Sequence, residues 1–380
     1  MPSQESYSDA LSRVIAEVVA PGAAEVDATG SFPRKQLDAL AAAGLLALTV
    51  PAEFGGGGAG LREAASVVRE LGAVCGSTAM IVTMHYAATA ALAAGGVKDT
   101  LTEIAAGRHL STLAFSESGS RSHFWAPLGT ATADADGDVR LDASKSWVTS
   151  AGQADSYVWS SRPLAADGPM TLWLVPGGTD GLVVAGAFDG LGLRGNASAP
   201  MTADGVRVPR GAMIGDDGAG LDIALAAVLP FFLVCSAAMS AGLMRRLAEE
   251  TAAHLQRTQL QHLGQSLAQQ VQPRAQLARL RIEADRTWGL IEETLSAVEA
   301  GRGDAQLLVL EVKAAAGEAA ADAADLALRA CGGSAFRKES PVERLFRDSR
   351  AARVMAPTTE ALYDFIGRAL CGLPLLGDVA

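Results

Sequence analysis

The chain has 380 residues, 49% hydrophobic and 19% charged, with a formal charge of −11. That excludes global disorder, leaves room for two or three domains with sizeable cores, and lacks the basic footprint that non-specific nucleic-acid binding needs. Its four cysteines, Cys75, Cys235, Cys331 and Cys371, form no Cys-x-x-Cys or Cys/His cluster, so neither a metal site nor a redox motif is expected.

Residues 1–112 read as helical. The first residues carry Glu5, Asp9, Arg13 and Glu17 rather than an apolar signal core, so a cytoplasmic setting is expected. Pro33 opens a segment whose Leu37, Leu40, Ala41 and Leu45 recur on one helical face, and Gly44 with Leu48-Thr49-Val50-Pro51 ends it. Glu53-Phe54 and the glycines at 55–58 make a loop. Leu61, Ala64, Ala65, Val68 and Leu71 mark a second amphipathic helix. Ser77 to Ala94 is apolar nearly all round, the pattern of a buried helix.

In residues 113–215 helical spacing gives way to β signals. Thr130–Ala133, Val139–Asp142, Tyr157–Trp159, Met170–Val175 and Gly181–Val184 read as short strands, with Asp136-Gly137-Asp138 as a turn. Turn residues recur about every ten positions, which fits a small antiparallel barrel or sandwich.

Residues 216–380 return to helix. Ala-, Leu- and Gln-rich segments run from about Leu221 to Arg302 and from Asp304 to Cys331, as in an antiparallel bundle. Within them Ile223–Met244 has no charge and is long enough to span a bilayer. Pro230, Ser236 and Ser240 and the lack of a basic flank favour a helix start followed by a buried helix, so no membrane span is expected. After the pair Gly332-Gly333, where backbone can approach a ligand closely, Pro341 sits in the first turn of another helix.

Several stretches together carry a resemblance. They are Val50-Pro51-Ala52-Glu53-Phe54-Gly55-Gly56, Leu113 to Ser122, Lys145-Ser146-Trp147-Val148-Thr149-Ser150, Leu191 to Pro200, and Gly332 to Leu362. The whole chain resembles the acyl-CoA dehydrogenase family, flavoproteins that desaturate acyl thioesters. The resemblance implies an α+β, mostly α fold: an N-terminal helical domain (1–112), a middle antiparallel β barrel (113–215) and a C-terminal four-helix bundle (216–380). It implies FAD as cofactor, an acyl thioester of CoA or a carrier protein as substrate, a homo-tetramer or homo-dimer, and an electron-transfer or reductase partner.

It also assigns roles. Phe115 and Ser116 would meet the flavin pyrimidine edge and Ser122 the pyrophosphate, as hydroxyls and loop amides suit a polar ring edge and an anion. Trp147 would pack on the isoalloxazine and the Thr149 hydroxyl would face its N5 region. On one strand these two share a face, making an aromatic platform beside a donor. In the family an Arg of the C-terminal half reaches the cofactor pyrophosphate of a neighbouring subunit, and a Gln follows further on. Here Leu260 replaces the Arg, leaving Arg257 one turn earlier, and Arg329 stands for the Gln before Gly332-Gly333. Both arginines also suit a solvated helix face.

The family's usual base, a Glu in Tyr-Glu-Gly-Thr, falls on Ala356, and its alternative position falls on Phe232, beside Leu233. α-Proton removal needs a carboxylate in reach, and Glu360 and Asp364 read as surface residues, so the catalytic residue is not identified. Flavin monooxygenases on the same fold, using reduced FMN or FAD as a diffusible cosubstrate, often have His-Asp-Pro here. Met355-Ala356-Pro357 keeps only the Pro, and His85 and His123 are loose candidates for their assisting His. A non-catalytic binding or assembly role is the third reading.

Overall fold

The computed structural model describes residues 6–120 and 123–376. The N-terminal helices are α1 (Tyr7–Val14), α2 (Ala20–Thr29), α3 (Arg34–Ala42), α4 (Leu61–Gly72), α5 (Gly76–Ala94) and α6 (Lys98–Ala105). Pro33 stands at the N-cap of α3, which buries Leu37 and Leu40 as its spacing predicts, buries Gln36 as well, and leaves Ala41 half-buried. α5 is buried along almost its whole length, from Ser77 to Leu92.

In the described middle part, strands follow: β1 (Ser111–Ala114), β2 (Thr130–Ala133), β3 (Val139–Val148), β4 (Ser156–Ser161), β5 (Thr171–Pro176), β6 (Leu182–Val184), β7 (Ala199–Val208) and β8 (Met213–Ile214), while Gln259–Leu260 and Gln265–Ser266 pair separately further on. Strands β1 to β8 form two four-stranded sheets, ordered β1-β4-β5-β8 and β2-β3-β7-β6. Leu141, Met201 and Val206 of one sheet pack with Trp159, Trp173 and Val175 of the other in one apolar cluster. Of the expected barrel or sandwich, the two sheets sharing one core take the sandwich form. Its antiparallel character has one exception: β1 runs parallel to β4, pairing Leu113 with Val158. β1 escapes a period-two reading because all four of its residues are buried.

The remaining helices are α7 (Gly220–Ile223), α8 (Leu229–Arg257), α9 (Val271–Glu299), α10 (Ala305–Cys331), α11 (Pro341–Ser349), α12 (Ala351–Val354) and α13 (Thr359–Leu370). A wide π turn, Ala224–Val228, joins α7 to α8 just before Pro230, and another, Ile15–Val19, precedes Pro21. A proline has no N–H for the carbonyl four residues back and crowds it, so the turn widens there. From Gly220 to Arg257 the helix is long and apolar enough to cross a membrane, yet more than half of its most apolar stretch is buried in protein. Leu243, Met244 and Leu247 of α8 pack with Leu280 of α9 and Ala320 and Ala324 of α10. The end of α4 meets α8 closely: a Cβ on Gly72 would lie 2.7 Å from the Met239 carbonyl oxygen.

The chain divides into two compact units. One takes the described residues of Met1–Val67, Ser77–Gly190 and Arg194–Phe232, and the other those of Val68–Gly76, Leu191–Leu193 and Leu233–Ala380.

Candidate functional site

In the first unit, β3 carries the most informative residues. Its inward parity runs Val139, Leu141, Ala143, Lys145, and regular pairing with β7 is interrupted between Lys145 and Val148. An uninterrupted strand would put Trp147 on the buried side of Lys145. The irregularity turns it out instead, leaving it 70% exposed, with one edge-on contact to Phe188 at 6.5 Å between centroids. Re-aiming a side chain is what such strand irregularities do.

The strand ends at Val148, so Thr149 lies in the following turn and is only 5% exposed. The expectation that Trp147 and Thr149 share a strand face is therefore corrected: the chain leaves extended geometry between them. Thr149 Oγ1 instead lies 3.0 Å from Ser198 Oγ, a partner that sequence spacing could not supply. Beside them Ser150 and Ala197 both hold positive φ, 59° and 50°, without being glycine. The Ser150 amide donates to the Asn196 carbonyl and the Ala151 amide to that of Ala197. Such conformations cost of order 1–3 kcal/mol each and gather at ligand sites.

Phe115 and Ser116 follow β1 and are half-buried. Ser116 O accepts from the Ser146 amide at 2.9 Å, and the Ser118 amide donates to Ser144 O at 3.1 Å, so this loop runs as an extra edge along β3. Between these bonds Glu117 and Lys145 form a buried ion pair, Nζ to Oε1 at 2.6 Å. Desolvation lowers the Lys145 ammonium to about 8, against the opposing pull of Glu117. Neither residue was singled out from the sequence, although a lysine on the inward parity of β3 is a legible signal of a buried partner. Ser122 lies outside the described residues.

His85, the loose candidate, is fully buried and committed to the backbone. Its Nδ1 accepts from the Ser111 amide at 3.2 Å, and Nε2 faces Leu46 O at 3.0 Å. That pattern fixes the neutral Nε2–H tautomer, and desolvation pushes its pKa down to about 4. A ring with both nitrogens occupied has none left for a substrate, so His85 is structural. His123 is exposed and packs against Trp125, ring centroids 4.8 Å apart and tilted by 55°.

In the second unit the expected anion contacts gather at one end of the helices. Arg257 closes α8 and is exposed, as is Arg329 in the last turn of α10, and neither has an ion-pair partner among the described residues. Gly332 has φ 61°, and a Cβ on Gly332 or Gly333 would meet open space. His254 Nε2 lies 3.3 Å from Ser334 Oγ, tying α8 to the turn that holds these glycines.

The segment around Ala356, one of the two positions without the expected carboxylate, is held by a residue the sequence reading missed. Lys313 of α10 is 1% exposed and donates to Met355 O at 2.9 Å and Pro357 O at 2.6 Å, on either side of Ala356. Desolvation lowers it to about 7, opposed by Glu360. Glu360 and Asp364 are exposed on α13. Asp348, also unforeseen, is buried and accepts from the Leu193 amide at 2.7 Å, where Leu193 holds φ 52°.

The residues present suit a flavin. In the first unit an exposed indole near buried hydroxyls fits an aromatic ring with polar edges; in the second, arginines with no ion-pair partner among the described residues, beside an open glycine turn, fit a pyrophosphate.

The comparisons agree with this reading of the fold. Residues 1–103, 112–206 and 218–371 match the N-terminal, middle and C-terminal domains of acyl-CoA dehydrogenases. The chain is 27% identical over 364 residues to a probable acyl-CoA dehydrogenase of Bacillus subtilis, covering 93% of each. Among solved structures, butyryl-CoA dehydrogenase of Megasphaera elsdenii superposes with a TM-score of 0.87 at 21% identity, over 98% of this chain and all of that one. FkbI, described for biosynthesis of the methoxymalonyl extender unit of a polyketide immunosuppressant, gives a TM-score of 0.85 at 26% identity, covering 96% of this chain and 99% of its own. The chain belongs to the acyl-CoA dehydrogenase family.

Proposed function

We propose that this chain is a flavin-dependent oxidoreductase acting on an acyl thioester, of CoA or of a carrier protein, with FAD as cofactor. The observation that carries the reading is the outward Trp147 beside the buried Thr149–Ser198 hydroxyl pair. When bound, FAD supplies a two-electron acceptor for a hydride from Cβ of the acyl chain. Trp147 offers the apolar platform, and Phe115, Ser116, Thr149 and Ser198 the polar edge. Arg257, Arg329 and the Gly332-Gly333 turn would hold a pyrophosphate. Ser122 belongs to the same set by resemblance.

The proton at Cα needs an acceptor that neither Ala356 nor Phe232 provides, and both are apolar. On this reading the chain is an atypical member, and Lys313 fixes the backbone at the position where the family's carboxylate stands. The three-part division at 1–112, 113–215 and 216–380, a homo-oligomer, an electron-transfer partner and a cytoplasmic setting complete the proposal.

An absorption spectrum of the purified protein, with and without added FAD, tests it. A yellow protein bleached anaerobically by acyl-CoA supports desaturation, and failure to bind any flavin defeats it in favour of a binding or assembly role. The lack of a carboxylate at positions 356 and 232 favours one other reading, a monooxygenase on the same fold. In that case a colourless protein would bind reduced flavin and consume oxygen.

A further inference from the structure

We infer that the buried Glu117–Lys145 pair is a positioning device that sets Phe115–Ser116 and Trp147–Thr149 against each other before any ligand arrives. The inference rests on the flavin reading for its purpose, but its geometry stands independently.

The pair joins four separate pieces of chain. Glu117 Oε1 takes the Lys145 ammonium at 2.6 Å, while Oε2 accepts from the Leu128 and Gly129 amides at 2.5 and 3.0 Å. Lys145 Nζ also donates to Ser160 O at 2.7 Å and Ser160 Oγ at 2.8 Å, so each of its three protons has an acceptor. Ser160 Oγ in turn reaches Phe115 O at 3.5 Å. The segments at 115–117 and 128–129 and the C-terminal end of β4 are thus tied to one ammonium on β3.

The placement sets register. Glu117 and Lys145 face each other in an antiparallel bridge, flanked by the Ser146–Ser116 and Ser118–Ser144 backbone bonds. A one-residue slip of this edge would exchange its inward and outward side chains. It would bring Ser116 or Ser118 to the ammonium and carry a carboxylate to the outer side. A charge that must find its partner forbids that slip in a way that apolar packing does not. With Lys145 pinned inward, the irregularity that follows it determines that Trp147 points out. A buried ion pair is weak support for stability, since apolar residues of similar volume often replace both partners at no cost. Specifying one alignment is the role such pairs fill best.

That distinction gives the test. Glu117→Met/Lys145→Met removes both charges together and Glu117→Gln removes one while keeping an amide-sized acceptor. Each is measured by thermal melting, FAD titration and amide hydrogen exchange of the flavin-free protein. The inference expects the double variant to melt cooperatively and to lose less stability than Glu117→Ala, which leaves the ammonium uncompensated. The double variant should bind FAD at least about tenfold more weakly, or about 1.4 kcal/mol, and exchange faster at Ser118 and Ser146. If the double variant does not fold, Glu117→Gln must show the same two changes. A folded variant with wild-type FAD affinity and wild-type exchange at those amides overturns the inference. If the wild type itself binds no flavin, the functional reading fails. Exchange then decides the positioning role alone, and unchanged protection at Ser118 and Ser146 overturns it.

Discussion

The two units each bury a lysine, and they treat it differently. Lys145 in the β domain has a carboxylate at 2.6 Å and a hydroxyl and a carbonyl of Ser160. Lys313 in the helical unit has no carboxylate in contact among the described residues; its acceptors are the carbonyls of Met355 and Pro357. Both ammonium groups are lowered by desolvation, Lys145 to about 8 and Lys313 to about 7. A full counter-charge offsets burial more completely than two backbone dipoles. A lysine can thus serve as half of a locked pair or as a brace on backbone carbonyls alone, and the difference lies in its partner.

The largest effect should come from breaking the locked pair on one side. Glu117→Ala leaves a buried ammonium uncompensated and strips two amides of their acceptor, a loss of about 3–5 kcal/mol read from the urea midpoint. A loss below about 1 kcal/mol, the scale of an exposed pair, would mean that the pair does not anchor the loop. Lys313→Met should cost less, about 1–3 kcal/mol, because it removes the charge together with the donor and orphans only carbonyls. If it proved as damaging as Glu117→Ala, the contrast between the two lysines would be gone.

pH sharpens the comparison next. The unfolded chain keeps its lysine protons up to the ordinary 10.5, whereas folded Lys313 releases its proton at about 7. More protons are bound in the unfolded state across that window, so stability rises with pH through it. The Lys313 contribution is complete above 10.5 and is lost as pH falls towards about 7. The wild-type urea midpoint should therefore climb relative to that of Lys313→Met between pH 7 and pH 10. A constant gap would show that the brace stays charged. The smallest stability effect belongs to Trp147→Ala. A side chain 70% exposed has little packing to lose, so the midpoint should move within about 0.5 kcal/mol while FAD binding weakens. A larger shift would place the indole in the core.

Much of the architecture was legible along the chain. Pro33, the apolar i, i+3, i+4 face of α4 and the all-round apolar α5 announced their helices because helical periodicity is a local property. Gly137 between β2 and β3, and Pro341 at the start of α11, did the same for a turn and a cap. The two stretches proposed to meet a flavin, and the glycine pair at 332–333, come from resemblance in short contiguous motifs, which a linear reading can hold.

The sequence by itself determined the helix–β–helix order, the residue types available to a flavin and the lack of a carboxylate at positions 356 and 232. Only tertiary structure decided that Trp147 faces outward while Thr149 turns in, because a register irregularity depends on the neighbouring strand. It also decided that Glu117 finds Lys145, that His85 is spent on backbone, and that Lys313 grips the segment around Ala356 from 42 residues away. Those outcomes depend on which polar atoms burial leaves without water, and that is settled only when distant segments meet.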